Sequence, residues 1–170
     1  MPPRSITAPD VVDSLIAVCG SDHVIVDLAR RTLLAQDVYA QGKTPIAVIR
    51  PPTREAAARS VEIAARAGLA IFPRGGGMSY TDAFLPTLEH AIIIDSTAMD
   101  RIVKIDERAL YATVESGCTW AKLDAALAGH GLRARFWGPF SGHDATIGGS
   151  LSNGTATFGS GIAGTSGDNV

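Results

Sequence analysis

The sequence has no large excess of positive or negative charge. Lys and Arg together number 15 of its 170 residues, Asp and Glu number 17, and the net charge is −2 with no basic run. Domains that bind nucleic acid usually carry a basic patch or stripe. We therefore expect no nucleic-acid partner.

Long apolar runs are also missing. No stretch approaches the roughly 18 apolar residues of a membrane-spanning helix. The opening segment, MPPRSITAPD, holds no apolar part of signal-peptide length. We expect no membrane partner and a cytoplasmic location.

Cysteine and histidine are few and scattered. Cys19 and Cys118 lie far apart and fit neither a disulfide framework nor a zinc spacing, so we interpret them as buried, reduced thiols. His23, His90 and His130 show no metal-ligand spacing, and we predict no metal site. No G-x-x-x-x-G-K-[S/T] motif occurs, which excludes a P-loop.

What is present is the composition of a globular domain. Hydrophobic residues make up 46% of the chain, enough for a core. Apolar periodicity, capping residues and β-branched runs predict a set of helices and strands. The helices are expected at 11–19, about 28–40, 54–67 and about 119–129, and the strands at 46–50, 69–73, 91–95, 101–105 and 109–115.

A glycine triplet stands at the exit of the second predicted strand, in PRGGGMSY (73–80). The strand, helix and strand over 46–73 predict a parallel crossover unit, and open α/β sheets bind ligands beyond the carboxyl ends of their strands. Successive N–H groups of a glycine loop bind anions, and the missing Cβ atoms let a diphosphate approach. The triplet therefore predicts a phosphate site, with a plain surface loop as the alternative.

Two further segments are rich in small residues, GPFSGHDATIGGSLSNG (138–154) and GSGIAGTSGDN (159–169). Three such segments in one small domain favour a long, extended ligand. GSGIAG (159–164) has the form G-x-G-x-x-G, but no convincing strand precedes it and no helix is expected to follow. We therefore assign no nicotinamide-binding Rossmann site.

The sequence contains no motif that identifies its catalytic residues. Ser141, His143 and Asp144 are the residue types of a hydrolase triad, but neighbours in one loop cannot align as nucleophile, base and orienting group. Asp95 and Glu115 each end a strand, and we interpret both carboxylates as solvated. The catalytic residues stay unassigned.

Four segments stand in a characteristic order and spacing: PRGGGMSYTDA, VESGCTWAKLDAAL, FWGPFSGHDATIGGSLSNGT and GSGIAGTSGDNV. Together, from about Ile46 to Val170, they resemble the FAD-binding domain (PCMH type) of the vanillyl-alcohol oxidase and p-cresol methylhydroxylase flavoprotein superfamily. The resemblance implies an α+β fold, with a small parallel sheet flanked by helices and a second, mainly antiparallel sheet that is incomplete at its carboxyl end. It implies an FAD-binding domain over 46–170, divided near residue 98, and the helices predicted before it leave 1–45 as an amino-terminal helical segment.

The resemblance also implies FAD as the cofactor and a set of contacts to it. The residues at the matching positions are Arg74, Gly75, Gly76, Gly77, Met78, Ser79, Pro139, Ser141, Thr146, Gly148, Gly149, Gly154, Gly164 and Thr165. Some family members attach FAD covalently through a histidine just after the loop glycines. Met78 stands at that position here, so we expect non-covalent FAD.

The function implied by the resemblance is a flavin-dependent oxidoreductase that transfers hydride from a hydroxylated small-molecule substrate to FAD. Two alternatives stay open: a flavin reductase of the same fold with a nicotinamide donor, and a non-catalytic, truncated flavin-binding domain. We expect the chain to be an amino-terminal portion of a longer polypeptide, inactive alone, because its glycine-rich end leads to no further predicted element. The sequence leaves an oligomer open.

Overall fold

The computed structural model describes residues 8–135, 141–156 and 159–170. The described chain forms two compact units. The first holds the residues up to Arg74 together with Ser79–Ala98, and the second holds Gly75–Met78 and the residues from Met99 onward. Gly75–Met78, part of the glycine-rich loop, therefore belongs to a different unit from the residues on either side of it.

The first unit is a four-stranded sheet with helices. Its helices are α1 (Ala8–Cys19), α2 (Leu28–Leu34) and α3 (Arg54–Arg66), with short 3-10 turns at Ser21–His23 and Ser96–Ala98, and its strands are β1 (Val24–Ile25), β2 (Ala47–Ile49), β3 (Ala70–Arg74) and β4 (Ala91–Asp95). The strand order is β1-β2-β4-β3. The predicted parallel sheet is confirmed for β2, β3 and β4, which run parallel. The sequence did not predict β1, which pairs antiparallel with β2 and makes the sheet mixed.

Helix α3 begins as its sequence predicts. The Thr53 hydroxyl accepts a hydrogen bond from the Ala56 N–H at 3.1 Å, which satisfies one of the donors that a helix start leaves open. Ala56, Ser60 and Ala64 recur every four residues and form the buried side of the helix. Small side chains there let α3 lie close to α1, whose buried Leu15 belongs to the same core as Ala64.

Helix α2 is shorter than the predicted 28–40. It ends at Leu34, because Asp37 turns the chain: its Oδ1 accepts hydrogen bonds from the N–H groups of Tyr39 at 2.8 Å and Ala40 at 2.7 Å. A short polar side chain that bonds its own backbone in this way competes with helix continuation.

The second unit combines a hairpin with helices. Its strands are β5 (Ile102–Asp106) and β6 (Tyr111–Val114), which pair antiparallel, and its helices are α4 (Trp120–Gly129), α5 (Ile147–Ser152) and α6 (Ser160–Ala163), with a 3-10 turn at Ser166–Asn169. Cys118, Trp120, Leu123 and Ile147 lie in its buried core. This confirms the predicted second, antiparallel sheet. Helices α5 and α6 were not among the helices predicted from the sequence.

No helix in the described parts of the chain is long and apolar enough to cross a membrane.

Candidate functional site

The glycine loop, Gly75–Met78, packs against a turn of the same unit, formed by residues 141–146. A Cβ atom on Gly76 would lie 1.7 Å from the carbonyl oxygen of Asp144, and one on Gly75 would lie 2.3 Å from Oγ1 of Thr146. Neither distance is compatible with a side chain. The turn is itself fixed, since the Ser141 carbonyl accepts hydrogen bonds from the N–H groups of Asp144 and Ala145. Two of the three glycines are thus required by the fold itself.

The remainder of the loop presents backbone N–H groups. Gly77 has a φ of +74°, a left-handed conformation that favours glycine. The N–H groups of Gly76, Gly77 and Met78 have no hydrogen-bond acceptor among the residues that the structure describes. Successive N–H groups around a left-handed residue form a concavity that binds anions. The loop therefore fits a phosphate.

Met78 anchors the far end of the loop. Its side chain packs against the buried core of the second unit, which includes Trp120 and Ile147. It is half-buried, and a methionine fills such apolar space readily. Met78 is thus a packing residue of this unit.

The Gly148-Gly149 pair is engaged in a different way from the first loop. Oγ1 of Thr146 accepts the N–H of Gly149 at 3.2 Å and caps α5. The N–H of Gly148 bonds the Ser116 carbonyl at 2.9 Å, and the N–H of Ile147 bonds that of Cys118 at 2.8 Å. These backbone donors are used inside the unit, so any cofactor contact from Gly148 or Gly149 has to be made without their N–H groups.

The other residues predicted after position 138 lie in several local structures. Ser141 starts the turn that faces the glycine loop, and Gly154 follows α5 with a φ of +56°. Thr165 donates its N–H and its hydroxyl to Oδ2 of Asp168, at 2.7 and 2.8 Å. That carboxylate lies 2.7 Å from where a Cβ of Gly164 would stand. Pro139 lies outside the described residues.

Asp95 ends β4 and is fully buried, so the interpretation of a solvated carboxylate is wrong. Its Oδ1 accepts the N–H of Thr97 at 2.9 Å and the Thr97 hydroxyl at 2.5 Å. Its Oδ2 accepts Nε of Arg50 at 3.2 Å and Nη1 of Arg74 at 3.4 Å. Four hydrogen bonds, two of them from cations, replace the water that burial removes.

Arg74 therefore has a structural partner for its side chain. Its side chain is 13% exposed, and its guanidinium carbon lies 5.5 Å from the ring centroid of Phe84. Burial lowers the pKa of Arg74, and the charge of Asp95 opposes that shift. Ser79, the last residue predicted in this segment, pairs its hydroxyl with that of Thr81 at 2.9 Å.

Glu115 is also engaged. Arg101 donates to its Oε1 from Nη2 at 2.6 Å and from Nε at 3.0 Å, while the Arg101 N–H donates to Oε2 at 2.9 Å. These bonds lower the pKa of Glu115, and the solvated interpretation is wrong here too. Within the described ranges, no group of three or more His, Cys, Asp or Glu side chains could hold a metal ion.

The comparison with known families identifies this arrangement. A family model described as an FAD binding domain matches residues 45–170. The chain belongs to this FAD-binding domain family. The resemblance seen in the four segments is thereby confirmed, and so is FAD as the cofactor that the family binds.

Relatives of this FAD-binding domain include two curated proteins. The chain is 31% identical to glycolate oxidase subunit GlcD of Bacillus subtilis over 145 residues, which cover 84% of the chain and 30% of that protein. It is 33% identical to mitochondrial D-lactate dehydrogenase [cytochrome] 1 of Saccharomyces cerevisiae over 111 residues, which cover 64% of the chain and 18% of that protein. The chain thus spans less than a third of the length of these relatives.

The fold of the FAD-binding domain is shared with solved structures. p-Cresol methylhydroxylase with substrate bound matches at a TM-score of 0.77 and 21% identity, over 87% of this chain and 30% of that one. The likeness confirms the predicted α+β fold class.

Sequence reasoning missed Arg50 altogether. It is the residue after β2, and the only local signal was its position at a strand exit. Its importance follows from the buried Asp95 beside it, which depends on the strand order of the sheet.

Proposed function

We propose that this chain is the FAD-binding part of an oxidoreductase that takes hydride from a hydroxylated small molecule. When bound, FAD accepts the hydride; the protein supplies binding and orientation. In that reaction the substrate would lose a hydride from its carbinol carbon and a proton from its hydroxyl, which gives a carbonyl product, and FAD would supply the hydride acceptor. The catalytic residue that takes the proton stays unassigned.

The observation that carries the proposal is the row of N–H groups at Gly76, Gly77 and Met78. The three residues are half-buried, and their N–H groups lack acceptors among the described residues. We propose that they bind the diphosphate of FAD, because a diphosphate carries several acceptor oxygens and negative charge.

We also propose that FAD is held without a covalent bond at residue 78. A thioether does not form the bond to the flavin that a histidine at this position makes, and the Met78 side chain packs into the core.

The names of the relatives support a hydroxylated substrate. Glycolate and lactate both carry a hydroxyl group next to a carboxylate, and both proteins are named for their oxidation. Neither name points to a nicotinamide-dependent reductase. We propose a small hydroxy acid as the substrate class, and a cytoplasmic location without nucleic-acid or membrane partners stays a prediction.

The test uses the intact protein that contains this sequence. We expect the purified protein to show a flavin spectrum, and acid precipitation to release all of the flavin as FAD. A peptide that contains residue 78 and retains flavin after precipitation would contradict the non-covalent proposal.

A second measurement addresses the reaction. Anaerobic addition of a panel of 2-hydroxy acids should bleach the flavin spectrum with at least one member, whereas reduced nicotinamides should not. Bleaching by a nicotinamide alone would favour the reductase alternative, and a protein that binds no flavin would refute the proposal as a whole.

A further inference from the structure

Three charged residues stand side by side at the carboxyl end of the sheet in the first unit. Arg74 pairs with Asp95 across β3 and β4, and Arg50 follows Ile49, whose partner on β4 is Ile94. The row therefore holds Arg50 just after β2, Asp95 at the end of β4 and Arg74 at the end of β3, and these three strands are adjacent and parallel. Residues in register on parallel strands point to the same face, which explains why both guanidinium groups reach one carboxylate oxygen.

The row has more positive than negative charge. Asp95 contributes one negative charge, and its Oδ2 is shared between Nε of Arg50 and Nη1 of Arg74. Two guanidinium groups on one carboxylate leave a surplus of one positive charge. Because Asp95 is fully buried and Arg74 is 13% exposed, the surplus reaches the surface chiefly through Arg50, at 35% exposed.

Arg50 is held by two hydrogen bonds, and its terminal guanidinium nitrogens remain available as donors. Its backbone N–H bonds the His23 carbonyl at 2.8 Å and its Nε bonds Asp95. A guanidinium has five N–H donors, of which four are on the two terminal nitrogens. Among the described residues, neither terminal nitrogen of Arg50 has an acceptor within hydrogen-bond distance, and no carboxylate besides Asp95 forms an ion pair with it.

A fixed guanidinium with free terminal nitrogens suits a phosphate, because two parallel N–H groups match two phosphate oxygens. The carboxyl ends of parallel strands are also where open α/β sheets bind ligands. We propose that Arg50, oriented by Asp95, binds a phosphate group of FAD. This inference rests on the proposed function, and it assigns a charged contact that lies outside the glycine-rich segments.

The test compares flavins that differ in phosphate content, on the apo form of the intact protein. For Arg50→Ala we expect the affinity for FAD to fall by about tenfold or more, as for the loss of a charge-assisted phosphate contact. Binding of riboflavin, which has no phosphate, should stay unchanged. Arg50→Lys should recover part of the loss, because it restores the charge but not the paired geometry.

Arg66→Ala is the matched control. Arg66 is also an arginine of the first unit, 71% exposed and paired with Glu62 on α3. Its removal should leave the affinity for FAD unchanged. Should Arg50→Ala fail to fold, Arg50→Gln takes its place, since its amide can still donate to Asp95, and the same loss of FAD affinity is expected.

The outcomes separate this inference from the proposed function. A wild-type protein that does not bind FAD would refute the function. Wild-type binding of FAD that Arg50→Ala leaves unchanged would refute only the role of Arg50. An equal loss of affinity for FAD and for riboflavin would show that Arg50 has a structural role. A higher KM for a hydroxy acid with unchanged FAD affinity would assign Arg50 to a substrate carboxylate. Either result would overturn the proposal.

Discussion

Replacing Gly76 by alanine should destabilise the protein even when no cofactor is bound. The new Cβ would lie 1.7 Å from the Asp144 carbonyl oxygen and 2.6 Å from its carbon. Ordinary contact begins near 3.4 Å, so the glycine loop and the turn at 141–146 have to separate by roughly 1.5 Å or more. Both neighbours are backbone, which cannot rotate away as a flexible side chain could.

The cost follows from that geometry. Forcing extra atoms into a packed site typically costs about 1–3 kcal/mol, and a clash between two backbone segments belongs near the top of that range. We therefore expect Gly76→Ala to lower the free energy of unfolding of the apo-protein by about 3 kcal/mol. Urea unfolding followed by circular dichroism measures this directly.

Gly129→Ala is the control. Gly129 ends α4, nothing lies within 4 Å of its Cβ position, and its φ is not positive. Alanine there should be neutral or stabilise the protein by up to about 1 kcal/mol. An apo Gly76→Ala variant as stable as the wild type, with FAD affinity alone reduced, would refute the reasoning, because the space beside Gly76 would then belong to the ligand.

Three further predictions concern other residues. Thr146→Val removes the cap of α5 and should lower the free energy of unfolding by about 1 kcal/mol, whereas Thr146→Ser should retain most of it; thermal unfolding separates the two. Arg101 lowers the pKa of Glu115, which means that the ionised carboxylate stabilises the folded protein. Glu115→Gln should therefore be less stable than the wild type at neutral pH, and the difference should vanish as the pH falls through that lowered pKa. A difference in stability that persists in acid would contradict this. Cys19 and Cys118 are both buried, and burial raises the pKa of Cys118, so both thiols should react with a thiol reagent only after unfolding, and fast labelling of the native protein would contradict their burial.

The position of the glycine loop could be predicted from the sequence, but its neighbour could not. A strand that runs into three glycines is a local pattern, visible within eight residues. The Asp144 carbonyl that lies against Gly76 comes from a distant part of the chain, and its approach depends on how the second unit folds. The sequence alone therefore offered a ligand or a plain surface loop as explanations for the triplet, and not a backbone contact with a distant turn.

Strand order explains the error at Asp95. The crossover of β2, α3 and β3 was predicted correctly as parallel, but β4 lies between those two strands, and only that order puts Arg50 and Arg74 on either side of Asp95. Helix α5 was missed for a related reason. Gly148 and Gly149 have low helix propensity, and the helix is fixed instead by the Thr146 cap and by bonds to distant carbonyls such as that of Ser116.

The contact between residues 76 and 144 has a consequence for folding. About 70 positions separate the two residues along the chain, and closing so long a segment costs entropy before its contacts repay it. The glycine loop should therefore reach its final form late, after the local turns and helices. During synthesis it leaves the ribosome long before the turn that shapes it, and a nucleotide that recognises only the finished loop would then shift the equilibrium toward the folded state by mass action.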